Sequence, residues 1–134
     1  MKRLLILVSL MAILFISTYK LILVSGISME ATIKNNHLGL LHKNTKIQIN
    51  DIICAQISNE KVIKRIVAVS GDQVKITNGT IYKNDAPITR SNLVYPDMTL
   101  YTLKNGEFFI IGDNYEMSEY YIIKKSQIVG ELLF

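Results

Sequence analysis

An unbroken apolar run near the start constrains this chain more than any other feature. Leu4 to Val24 reads LLILVSLMAILFISTYKLILV, 21 residues with one charge, Lys20, four positions from the end. As a helix rising about 1.5 Å per residue it would cover about 31 Å, and the hydrocarbon core of a bilayer is about 30 Å thick. The stem of Lys20 is long enough to reach the headgroups, and Tyr19 beside it suits an interface. A cleaved leader has an apolar core of about 7–15 residues that ends in small residues. Here apolar residues resume after Lys20 and no Ala-x-Ala step follows. The run predicts an uncleaved transmembrane anchor. Lys2 and Arg3 in front of it predict a cytoplasmic N-terminus and a domain on the outer side.

The division expected is residues 1–24 as cytoplasmic tip and anchor, and 25–134 as one extracytoplasmic domain. A chain of 134 residues has room for no second one. Hydrophobic residues at 49% and charged residues at 19% exclude a disordered chain. The net charge of +4 comes largely from Lys2, Arg3 and Lys20, which leaves +1 for the rest and no general nucleic-acid surface. One cysteine, Cys54, rules out an intrachain disulfide and a Cys-rich zinc site, and His37 and His42 cannot form a His-rich metal site alone.

After the anchor, short β-branched runs alternate with turn residues, the pattern of an all-β domain. Strands are predicted at Leu38–His42, Ile52–Ile57, Val62–Val69, Gln73–Ile76, Thr80–Lys83, Glu107–Ile111 and Gln127–Leu133. Asn78-Gly79 between two such runs is a type I′ hairpin signal, since both turn positions need positive φ. Asn84-Asp85 marks another turn. Residues 91–106 read as a long loop with a short strand.

Three segments could carry chemistry. Ser25-Gly26-Ile27-Ser28-Met29 could present a nucleophilic hydroxyl at the membrane exit, or be a flexible linker. In Val62–Val69, alternation puts Lys64 on one face with Val62, Ile66 and Ala68, and Arg65 on the other. A lysine among apolar neighbours is desolvated, which lowers its pKa and frees a neutral amine to act as a base; a strand-edge lysine reaching water is the alternative. Phe108–Ile111 runs into Gly112-Asp113-Asn114, which could be no more than an Asx turn.

In this order the segments resemble the boxes of the type I signal peptidases, of the short Gram-positive kind. Ser25-Gly26-Ile27-Ser28-Met29-Glu30-Ala31-Thr32 is similar to the nucleophile box Gly-x-Ser-Met-x-Pro-Thr. Lys64-Arg65 through Ser70-Gly71-Asp72 is similar to the lysine box. Gly112-Asp113-Asn114 with Ser118 is similar to Gly-Asp-Asn-x-x-x-Ser. The chain departs from the pattern at Ala31 and Ser70, where the family has proline. It departs also at Tyr115, Tyr120 and Ile122, where many members carry Arg, Asp and Arg in support of the site.

The resemblance implies a coiled, mostly antiparallel β-fold with a barrel-like core. It implies a serine endopeptidase that removes signal peptides from exported preproteins after small-x-small sequences. Ser28 would be the nucleophile and Lys64 the general base; Ser118, Gly26 and Asp113 would support them, and Met29 would touch the membrane surface. No metal or cofactor is implied. The partners would be preproteins and the lipid bilayer, near the Sec translocon, with the enzyme single-pass in the cell membrane. Two alternatives are a specialised or weakened relative acting in pilus or surface-protein assembly, and a membrane-tethered β binding module.

Overall fold

The computed structural model describes residues 1–43, 46–90 and 95–133. Among these residues one α-helix, α1 (Lys2–Thr18), precedes eleven strands: β1 (Tyr19–Val24), β2 (His37–His42), β3 (Ile52–Ile57), β4 (Glu60–Val69), β5 (Gln73–Thr77), β6 (Thr80–Lys83), β7 (Ala86–Arg90), β8 (Met98–Thr102), β9 (Glu107–Ile111), β10 (Tyr120–Lys124) and β11 (Ile128–Leu133). Seven strands form one sheet in the order β1-β2-β11-β3-β4-β9-β10, and four form a second in the order β7-β6-β5-β8. Every recorded pairing is antiparallel. The large sheet ends at β1 and β10 and does not close, so the barrel-like core expected from the resemblance is an open, mainly β architecture.

The apolar run does not form a single helix. α1 has 17 residues, and no helix among those described is long and apolar enough to cross a membrane. The run changes conformation at Tyr19 and continues as β1, whose residues pair one for one with β2 from Tyr19 opposite His42 to Val24 opposite His37. Several contacts favour this break. The hydroxyls of Ser17 and Thr18 donate back to the Leu14 carbonyl, a bond that competes with helix continuation. The Lys43 backbone N–H donates to the Thr18 carbonyl at 2.9 Å, and Lys43 Nζ donates to the carbonyls of Ile16 and Ser17, each at 3.2 Å. A cation on the last carbonyls of a helix is favourable. The sheet therefore begins six residues before the domain expected from the sequence.

The hairpin turns form as their residues dictate. Asn78 and Gly79 have φ of 49° and 73°, and Asn84 and Asp85 have φ of 49° and 64°. Strand β8 is the short strand expected within residues 91–106, of which 91–94 lie outside the described residues.

Alternate residues of β9 feed two separate cores. Phe109 and Ile111 pack with Ala68, Val74, Ile76 and Ile81, between the two sheets. Phe108 and Ile110 pack with Ile53, Ala55, Ile66 and Ile123 on the opposite face. A third cluster joins Val24, Met29, Ile33 and Leu41 to Ile52, Cys54 and Leu132.

Candidate active site

β4 carries the lysine. Lys64 sits opposite Ile53 and shares its face with Val62 and Ile66, as alternation predicts. Ala68 does not share that face. The pairing of β4 with β9 slips between Ile66 and Ala68, and this bulge moves Ala68 into the cluster of Phe109 and Ile111. Two polar side chains are buried among the described residues, Lys64 at 5% exposure and Ser118 at 2%. They are bonded to each other: Lys64 Nζ donates to Ser118 Oγ at 2.9 Å. Ser118 Oγ also accepts the Gly112 N–H at 2.7 Å and donates to the Glu119 carbonyl at 3.0 Å. Burial pushes the Lys64 amine below its ordinary value, and the charge of Glu119 opposes this in part.

Ser28 is half-buried and its backbone lies against the same corner. Its carbonyl accepts the Asn114 N–H at 2.9 Å, and the Ile27 carbonyl accepts Asn114 Nδ2 at 3.1 Å. A Cβ on Gly112 would collide with the Ser28 carbonyl oxygen and lie 2.6 Å from Ser118 Oγ. Glycine at 112 is thus what allows the Ser28 segment and the Lys64–Ser118 pair to meet.

Asp113 joins the other pieces. It receives Arg65 Nε at 2.7 Å and Arg65 Nη2 at 2.6 Å, a bidentate ion pair, and it also accepts the Thr32 hydroxyl. Burial alone would raise the Asp113 carboxyl. The bonds from Arg65 and Thr32 and the Arg65 charge hold it below the usual carboxylate range. Arg65 Nη1 donates in addition to the Asn50 carbonyl at 2.7 Å. Arg65 does point away from Lys64, as alternation predicts, and in doing so it clamps the segment after Ser28 to the segment after β9.

Gly26 has a φ of 107°, and its N–H donates to Asn35 Oδ1 at 2.9 Å, so this group closes the Ser25–Asn35 loop. Met29 departs from expectation: at 2% exposure it is packed in the cluster of Val24, Ile33 and Leu41, and it offers no surface to lipid. The exposed apolar side chains nearby are Ile27, and Leu21, Leu23 and Leu38 on β1 and β2.

The sequence assigns Thr32 no part, although it stands inside the first box, and assigns Arg65 only a direction. It assigns Tyr95 no part either. The Tyr95 hydroxyl bonds the carbonyls of Tyr115 and Ser118, and its ring meets Tyr120 edge-on at 5.6 Å. Tyr120 stacks on Phe109 at 5.3 Å, while Tyr115 and Ile122 pack against the same cluster. The three positions where many members carry Arg, Asp and Arg are therefore occupied by partly buried side chains packed on that cluster.

The chain is mainly β and buries a lysine against a serine beside the half-buried Ser28, and comparison with known proteins makes it a serine peptidase. Residues 1–134 match the family model described as signal peptidase, peptidase S26, and the chain belongs to that family. It is similar to signal peptidase IB of Staphylococcus aureus, with 25% identity over 143 residues that cover 83% of this chain and 74% of that protein. A probable signal peptidase I-1 of Synechocystis is 27% identical over 79 residues, 54% of this chain and 40% of the relative. Among solved structures, a signal peptidase I from Enterococcus faecalis aligns with a TM-score of 0.48 and 20% identity, over 66% of this chain and 98% of the other.

Proposed function

We propose that this chain cleaves signal peptides from exported preproteins with Ser28 as nucleophile and Lys64 as general base. The observation that carries the reading is the buried Lys64–Ser118 pair, set against the Ser28 backbone across Gly112. Neutral Lys64 takes the Ser28 proton as the hydroxyl attacks the scissile carbonyl, then gives that proton to the mature protein's amine as the C–N bond breaks, which leaves an acyl-enzyme and a neutral lysine. The Ser28 N–H and a neighbouring donor hold the oxyanion. The same lysine then activates the water that releases the signal peptide. The packed side chains of Tyr115, Tyr120 and Ile122 favour a working site over a weakened one, because they hold the Ser118 turn by packing where relatives of the resembled family use charges.

Incubation of the full-length chain in detergent micelles with a preprotein bearing an Ala-x-Ala site tests this. The expected result is a single cut after that site and an acyl group trapped on Ser28 by rapid acid quench. An adduct on another residue, or cleavage retained by Ser28→Ala, would overturn the assignment.

The setting proposed is the outer face of the cell membrane beside the export channel, with residues 1–18 as cytoplasmic tip and anchor and the sheet from Tyr19 onward as the catalytic part. From Leu4 to Ile16, α1 is apolar on all sides except at Ser9, and exposed, a surface suited to lipid. Its 17 residues measure about 26 Å, slightly short of a bilayer core of about 30 Å. Leu21 and Leu23 continue the apolar surface along β1, which would draw the edge of the sheet into the interface. The chain should accordingly stay in the membrane pellet at full length after carbonate extraction; a shortened form in the supernatant would contradict the anchor.

Ser118→Ala should slow cleavage without ending it. The hydroxyl orients Lys64 and does not react, and a hydrogen bond of this kind is worth about 0.5–1.5 kcal/mol. At about 1.4 kcal/mol per factor of ten, the slowing should be on the order of tenfold. Initial rates on several preproteins measure it, and wild-type rates on all of them would remove Ser118 from the site.

A further inference from the structure

We propose that Tyr95 is a positioning residue for cleavage: its hydroxyl holds the 115–118 turn so that Ser118 Oγ meets Lys64 Nζ. The inference rests on the Ser28/Lys64 reading and extends it to a residue outside all three family boxes. Tyr95 is 7% exposed. Its Oη lies 2.8 Å from the Tyr115 carbonyl and bonds the Ser118 carbonyl as well, so one hydroxyl proton serves both ends of the turn. Within the turn the Met117 N–H donates to the Asn114 carbonyl at 3.0 Å. Met117 itself is exposed. Tyr95 thus ties the turn to the strand side of the core next to Ser118, whose Oγ satisfies Lys64 Nζ, the Gly112 N–H and the Glu119 carbonyl together.

The Tyr95 ring is held in turn by packing. It meets Tyr120 edge-on at 5.6 Å, and Tyr120 stacks on Phe109 of β9, the strand that leads into Gly112. One rigid aromatic column thus supports both sides of the lysine's partner. Removing only the hydroxyl keeps the column and frees the turn. Lys64 would then lose alignment with Ser28 in the step where its proton moves, and substrate binding would be unaffected. The effect belongs in kcat and not in KM.

The experiment is a double-mutant cycle on the full-length chain, with wild type, Tyr95→Phe, Ser118→Ala and the double variant assayed on one preprotein at a temperature where melting curves show all four fully folded. Tyr95→Phe should lower kcat about fivefold to tenfold with KM unchanged, as expected for a lost hydrogen bond. In the Ser118→Ala background the same change should cost less than twofold, because the group it positions is already gone. An unchanged kcat in Tyr95→Phe, or an equal loss in both backgrounds, overturns the inference. Ser28→Ala, run alongside, separates the two levels. If it is inactive while Tyr95→Phe is normal, only the role of Tyr95 fails; if Ser28→Ala is active, the underlying Ser/Lys reading fails.

Discussion

Lys64→Met should abolish cleavage and leave a folded protein that melts at a higher temperature than wild type near neutral pH. The two effects share one cause. Burial disfavours the charged amine and lowers its pKa from 10.5. The folded state thus binds a proton less readily than the unfolded state. That costs stability in full below the folded-state pKa. The cost fades as pH rises from that value toward 10.5 and is gone above it. Methionine has a similar length and no charge, so it removes the cost, and its advantage in melting temperature should shrink as pH is raised. Catalysis runs the other way. Only the neutral amine can accept the Ser28 proton, so wild-type activity should rise with pH along a limb centred below the free-lysine range. Lys64→Arg should be inactive at every pH tested, because a guanidinium stays protonated. Rate–pH profiles and melting curves on the three proteins check all of this. A Lys64→Arg variant that cleaves at a near-wild-type rate would end the proposed mechanism.

The features legible in the sequence are those decided within a few residues. Asn78-Gly79 and Asn84-Asp85 turn where they stand because their own φ preferences require it, and the strands on either side follow. The face on which Lys64 lies is legible for the same reason, since its flanking residues alternate along β4, while its burial is not, because a strand-edge lysine reaching water fits the same pattern. Features decided by distant partners were not legible. Tyr19–Val24 is as apolar as the helix before it, and only the open edge of β2 makes it a strand. Met29 follows Ser28 in a tract that hydropathy reads equally well as lipid-facing or core, and the cluster of Ile33 and Leu41 decides for core. The slip at Val67 reverses the side on which Ala68 falls, and no local residue pattern announces it. Tyr120–Lys124 is rich in strand formers, but the neighbouring Gly-Asp-Asn turn and Lys124-Lys125 obscure it, and pairing with β9 settles it. Tyr95 reaches a carbonyl 23 positions away, a distance at which single-sequence patterns carry nothing.

Gly112→Ala should be the most damaging change that neither removes a reacting group nor alters charge. The methyl would collide with the Ser28 carbonyl oxygen, lie 2.9 Å from the Ser28 carbonyl carbon and 2.6 Å from Ser118 Oγ. Two of these three atoms are backbone, so no rotamer change relieves the contact. Either the Ser28 segment moves out, breaking its bond with the Asn114 N–H, or Ser118 moves and releases Lys64. Both routes separate the proposed nucleophile from its base. A misplacement of about 1 Å costs on the order of a hundredfold in rate, and overpacking of this kind costs about 1–3 kcal/mol in stability. Gly39→Ala supplies the contrast. Its Cβ would also be crowded, at 2.5 Å, but only by Leu132 Cδ1, the tip of a side chain that can rotate aside. Gly39→Ala should therefore keep its rate while Gly112→Ala loses about two orders of magnitude in kcat at a temperature where both remain folded. Near-equal rates for the two variants would mean that the contact between Gly112 and Ser28 does not set the geometry of the reaction.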